Sequence, residues 1–138
     1  MSDLDEFNRR IIGEFRTHGG KVGGPFAGVP VLLLSTVGAR SGQARTTPVV
    51  YQQDGERLII FASKAGAPEH PAWYHNLLAN PIATVEVGTE TMPVRAVEIS
   101  GEERDELFAR QAEMYPQFNE YAERTTRVIP VIALLPAS

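Results

Sequence analysis

Thr47-Pro48-Val49-Val50-Tyr51-Gln52-Gln53-Asp54-Gly55-Glu56-Arg57-Leu58-Ile59-Ile60-Phe61-Ala62 is a pair of β-rich runs around an Asp-Gly step, and it decides the fold class. Asp-Gly suits the left-handed backbone of a tight hairpin turn, so Thr47 to Gln52 and Arg57 to Ala62 read as adjacent antiparallel strands. Upstream, Val31-Leu32-Leu33-Leu34 is a short continuous apolar run that reads as another strand. Downstream, Ile82 to Val87 and Met92 to Ile99 alternate around the turn Gly88-Thr89-Glu90, and Val128 to Leu135 is a last apolar strand. Six strands with short turns and a closing C-terminal strand favour an antiparallel barrel over an open sheet, because closure removes edges that invite aggregation. The expected class is mainly β, of the α+β kind, with helices flanking a six-stranded barrel.

The helices are read from spacing and punctuation. Leu4, Phe7, Ile11, Ile12 and Phe15 recur at helical spacing behind Ser2 and Asp3 as candidate N-caps, which predicts an amphipathic helix ending near Gly19-Gly20, an appendage or a lid. Gly19 to Gly28 holds few side chains to pack and reads as a linker. The chain thus divides into residues 1–28, helix and glycine-rich linker, and residues 29–138, the barrel domain. Pro71 suits the first turn of a helix over Ala72 to Ala79 that Asn80-Pro81 ends. Ser100-Gly101-Glu102-Glu103 has capping-box spacing and opens a helix through about Met114, with Leu107, Phe108 and Met114 on its apolar side.

Composition bounds the function. At 138 residues and 43% hydrophobic the chain supports one compact core. Thirteen Lys and Arg against 17 Asp and Glu leave a net charge of −4, which disfavours bulk nucleic-acid binding and leaves small anions open. The lack of cysteine removes disulfides, thiolate nucleophiles and sulfur metal sites, in keeping with a reducing cytoplasm. No stretch is apolar enough to span a bilayer, and the acidic start Met1-Ser2-Asp3-Leu4-Asp5-Glu6 is unlike a signal peptide, so a soluble protein is expected.

Against that acidic background stands Gly38-Ala39-Arg40-Ser41-Gly42-Gln43-Ala44-Arg45-Thr46-Thr47-Pro48, with two guanidiniums, three hydroxyls and two glycines. Bending glycines and forked donors suit a phosphate or carboxylate, although a solvated basic hairpin has the same composition. His70 and His75 lack companions at ligand spacing, so no metal site is expected. Ser35, Ser41 and Ser63 lack a nucleophile elbow, and Glu102, Glu103, Asp105 and Glu106 read as a solvated helix face. A protein without an acid, base, nucleophile or metal set commonly takes its reactivity from an organic cofactor. Arg40, Arg45 and Lys64 can hold an anionic tail. Trp73, beside Tyr74, either offers ring surface to a flat heterocycle or anchors its helix. Tyr115, Phe118 and Tyr121 fall near one helical face if the helix resumes after Pro116, and that face is either core or the wall of a pocket.

Together the Gly38 to Pro48 segment, the turn Ala62-Ser63-Lys64-Ala65-Gly66, the run His70-Pro71-Ala72-Trp73-Tyr74-His75-Asn76-Leu77 with Asn80-Pro81, and Met114-Tyr115-Pro116 resemble the deazaflavin-dependent nitroreductase family. The likeness covers about residues 30 to 136. It implies a split β-barrel related to flavin-mononucleotide-binding barrels, holding reduced coenzyme F-420 and passing its hydride to quinones or nitroaromatic compounds. By position it implies that Arg40, Ser41 and Arg45 grip the phosphate and acidic tail, and that Pro48, Ala62, Ser63 and Lys64 line the deazaflavin. Trp73 and Asn76 would support it from the helix. Tyr115, Phe118 and Tyr121 would wall the acceptor, with Tyr115, Tyr121 or Ser63 bonding its oxygen during reduction. Phe118 departs from relatives that carry tyrosine there. A cytoplasmic protein is implied, with peripheral membrane contact through the N-terminal helix as an option. A flavin-mononucleotide enzyme of the same barrel type, or a deazaflavin carrier without turnover, would fit the same residues.

Overall fold

The computed structural model describes residues 3–23 and 28–137. Ser2, one of the two candidate N-caps, and residues 24–27 of the glycine-rich stretch lie outside the described residues. Helix α1 spans Asp3–Thr17, followed by strands β1 Val31–Val37, β2 Ala44–Asp54 and β3 Arg57–Phe61. A 3-10 turn over Lys64–Gly66 leads to α2 Ala72–Ala79, then to β4 Ile82–Val87 and β5 Glu90–Ile99. Helices α3 Gly101–Met114 and α4 Gln117–Arg124 precede β6 Val131–Pro136. The six strands close into an antiparallel barrel in the order β1-β2-β3-β6-β5-β4, as the strand pattern predicts.

Alternation along the strands sorts the core into two clusters. Leu58, Ile60 and Ala62 of the β3 segment join Leu32, Leu34, Val49, Val85, Val94, Ile132 and Leu134, and α2 contributes Trp73, Tyr74 and Leu77 to the same cluster. Ile59, Phe61, Val131 and Ala133 point the other way, against Leu107, Phe108 and Ala112 of α3 and Phe118 of α4. The Asp54–Arg57 hairpin turns through Gly55 at φ +62°, and an Arg57–Asp54 ion pair braces it.

Several local expectations are corrected. The strands reach further into the basic segment than expected: β1 runs on to Val37 and β2 begins at Ala44 rather than Thr47, with Val37 paired to Ala44. Strand β6 begins at Val131, not Val128, since Pro130 has no N–H for a ladder and Val128 is exposed. On α3, Met114 is half exposed, whereas Gln111 and Ala112 are buried. Ser100 occupies the N-cap of α3 without a side-chain capping bond. Helix α1 is docked on the barrel: Ile11 and Phe15 are 2% and 1% exposed, and Arg16 makes two bonds to Glu86, at 3.1 and 2.8 Å.

Candidate functional site

The site begins where β2 leaves β3. These strands pair only from Tyr51 with Ile60 to Asp54 with Arg57, while β2 continues to Ala44 paired with β1 alone. Extending the register would set Pro48 opposite Ser63, but the ladder stops first, and Ala62 instead donates its N–H to the Pro130 carbonyl at 3.0 Å. A seam therefore opens between residues 44–50 of β2 and the end of β3. Pro48 suits a strand with one unpaired flank, because it lacks the N–H a ladder would use.

One wall of the site is the β1–β2 hairpin. Gly38 donates to the Gln43 carbonyl at 2.8 Å, and Gly42 donates back to the Gly38 carbonyl at 2.9 Å. A Cβ on Gly38 would stand 2.5 Å from Ser41 Oγ, so that hydroxyl would have to turn away. Asn76 of α2, 7% exposed, holds the hairpin from below: its Oδ1 accepts the Ala39 N–H at 2.9 Å and its Nδ2 donates to Thr36 Oγ1 at 3.0 Å. Arg40 and Arg45 are exposed and have no ion-pair partner among the described residues. Two guanidiniums left without counter-charges beside a braced turn fit an anionic ligand.

The opposite wall is the Ala62 to His70 segment with α4. Gly66, at φ +81°, lies so close to α4 that a Cβ would meet Arg124 Cβ and the Tyr121 carbonyl, both at 2.8 Å. The turn carrying Ser63 and Lys64 is thus pressed on the helix carrying Tyr121. Lys64, at φ +46°, pairs with Glu69 at 2.9 Å, which holds the Glu69 carboxyl below its usual range. Tyr115 and Tyr121 are half-buried against the outer cluster. Phe118 is 4% exposed, its ring set edge-on to Phe61, Phe108 and Tyr121, so its bulk is core. Trp73 is also buried, within the barrel cluster. Its neighbour Tyr74 donates to Glu98 Oε1 at 2.7 Å, and burial with that bond pushes the phenol up to about 12.

Two groups have no motif in the sequence to announce them. Arg127 donates from Nη1 to the Ala62 carbonyl at 3.0 Å and to His70 Nδ1 at 2.9 Å, from Nη2 to the Ser63 carbonyl at 2.8 Å, and from Nε to the Ala67 carbonyl at 3.0 Å. Burial, and then the Arg127 charge, hold His70 below its ordinary pKa, so it accepts as a neutral ring. Between β2 and α3, Gln52 Nε2 donates to Gln111 Oε1 at 3.1 Å and to the Leu107 carbonyl at 3.3 Å. Gln111 Nε2 is buried without an acceptor among the described residues. Among the described residues no cluster of potential ligands could hold a metal ion.

The model of the F420H(2)-dependent quinone reductase family matches residues 7–136. The chain belongs to that family. An F420H(2)-dependent quinone reductase of Mycobacterium tuberculosis is 39% identical over 126 residues, spanning 87% of this chain and 83% of the relative. A solved F420-H2 Dependent Reductase superposes with TM-score 0.69 at 39% identity, covering 76% of this chain and 93% of that one. A further structure, described as a domain-swapped dimer, covers 95% of this chain and 96% of its own at 36% identity, with TM-score 0.71. Members of the F420H(2)-dependent quinone reductase family are oxidoreductases, and the deazaflavin resemblance and the split barrel expected from it are borne out.

Proposed function

We propose that this chain holds reduced coenzyme F-420 at the seam between β2 and β3 and delivers its hydride to a quinone or another flat, electron-poor acceptor such as a nitroaromatic compound. The observation that carries the placement is the juxtaposition of an unzipped strand pair with two guanidiniums, Arg40 and Arg45, that have no ion-pair partner among the described residues of an acidic protein. The coenzyme, when bound, supplies hydride donation from a ring carbon, so the chain itself needs no nucleophile or metal. Arg40, Arg45 and the Ser41 hydroxyl bind the phosphate and acidic tail, while Pro48, Ala62, Ser63 and Lys64 line the ring. Lys64 must exchange its exposed pair with Glu69 for the ligand, a weak contact to give up. Asn76 serves from behind by bracing the hairpin. Trp73 serves by packing α2 onto the barrel.

Tyr115 and Tyr121 wall the acceptor, with Phe118 as the buried backing that sets Tyr121. An acceptor oxygen gains negative charge as hydride arrives, so a donor aimed at it lowers the barrier. The Tyr115, Tyr121 and Ser63 hydroxyls are the candidates for that bond. No described helix is long and apolar enough to cross a membrane, and Ile11 and Phe15 of α1 are already committed to the barrel.

The test is to mix the purified chain with reduced F-420 and menadione and follow the absorbance of the oxidised coenzyme. Menadione-dependent oxidation is expected. A protein that neither oxidises the coenzyme nor quenches its fluorescence on titration overturns the reading. Yellow protein with tightly bound flavin would point to flavin mononucleotide, and binding without oxidation to a carrier.

A further inference from the structure

We propose that Arg127 is a positioning residue for coenzyme binding, setting the course of the Ala62 to Ala67 segment through three backbone carbonyls and the ring of His70. The inference rests on the functional reading above. Strand β3 ends at Phe61, so the carbonyls of Ala62 and Ser63 leave the ladder just where the seam begins. The guanidinium fork gives the Ala62 carbonyl its partner and the Ser63 carbonyl a second one. A third bond to Ala67 closes the far side of the 3-10 turn, whose own bonds run from Gly66 to the Ser63 carbonyl at 2.9 Å and from Ala67 to the Lys64 carbonyl at 3.0 Å.

The direction of the bonds explains why an arginine is needed. All four partners are acceptors, and no lysine could reach them from one stem with fixed planar geometry. Lys64 sits at φ +46°, an uncommon backbone state for a residue with a side chain, and it lies between the clamped carbonyls of Ser63 and Ala67. The clamp therefore holds the backbone of Ser63 and Lys64 in place against a local preference to relax. Arg127 itself comes from the stretch between α4 and β6, so the same contacts tie the ring-binding turn to the tail of the acceptor wall.

Arg127→Gln in the full chain tests this with two readouts. Titration with oxidised F-420, followed by fluorescence, should show Kd raised at least about tenfold, while KM for menadione stays within about twofold. Hydrogen exchange should speed at least about tenfold at the Gly66 and Ala67 amides, in the absence of any coenzyme. A folded variant with parental coenzyme affinity, or with parental exchange at those amides, overturns the proposal. Should Arg127→Gln not fold, His70→Leu removes one acceptor only and should weaken coenzyme binding about threefold; an unchanged Kd there overturns it equally. A parent that does not bind F-420 fails the functional reading instead, while the exchange measurement still reports on the clamp.

Discussion

Arg40 and Arg45 carry charge that no ion pair among the described residues uses, which separates binding from stability at these two positions. Each guanidinium contact to an anionic oxygen is worth about 1.5–3 kcal/mol, so Arg40→Ala or Arg45→Ala should weaken F-420 binding about ten- to hundredfold. The melting temperature should not move, because both side chains are exposed and take no part in those ion pairs. Coenzyme fluorescence and a thermal melt on the same samples check both halves. His70 behaves oppositely. Its ring must be neutral to accept from Arg127, and its folded pKa lies below the unfolded value near about 6.5. The unfolded chain therefore binds the proton first as pH falls, and stability drops progressively below that value until the folded ring titrates too. Arg127 and His75 oppose the added charge, whereas Glu98 favours it. Urea titrations from pH 8 to 5 should show this loss in the parent and a shallower one in His70→Asn, whose amide oxygen can still accept.

At the scale of elements, the contact between the Ala62 to His70 turn and α4 leaves no room. Gly66→Ala would combine a left-handed φ with two clashes at 2.8 Å, and should cost about 1–3 kcal/mol by urea denaturation while loosening Tyr121. The strands were legible because burial on a barrel wall imposes a period of two, and the Asp-Gly turn sets their register locally. Their ends were not. Ser35, Thr36 and Ala44 to Thr46 are polar or small, and only the closure of the β1–β2 hairpin draws them into the ladder, with Ser35 Oγ and Thr46 Oγ1 in contact at 2.8 Å. The basic hairpin announced itself by composition. The Arg127 clamp could not, because its partners lie about 60 residues away and no spacing rule joins a lone arginine to four acceptors. Gln111 was hidden for a related reason: a glutamine amid apolar helix positions looks like surface until Gln52 is found facing it.

Across the whole molecule, α1 belongs to the folded unit. Phe15→Ala should cost about 3–5 kcal/mol, the usual loss for a fully buried aromatic ring, read as a shift of the urea midpoint. A loss under about 1 kcal/mol would return α1 to the role of a detachable lid. The barrel closes on six ladders, and β1 with β4 spans only Leu33 to Ser35. The unzipped stretch of β2 is the other interruption. Substitutions that let residues 44–50 dock on the end of β3, replacing Pro48 among them, would trade occupancy for robustness: hardier proteins unable to host their cofactor. Selection for heat tolerance alone would push this scaffold toward inactivity, and directed-evolution campaigns should screen turnover alongside melting temperature.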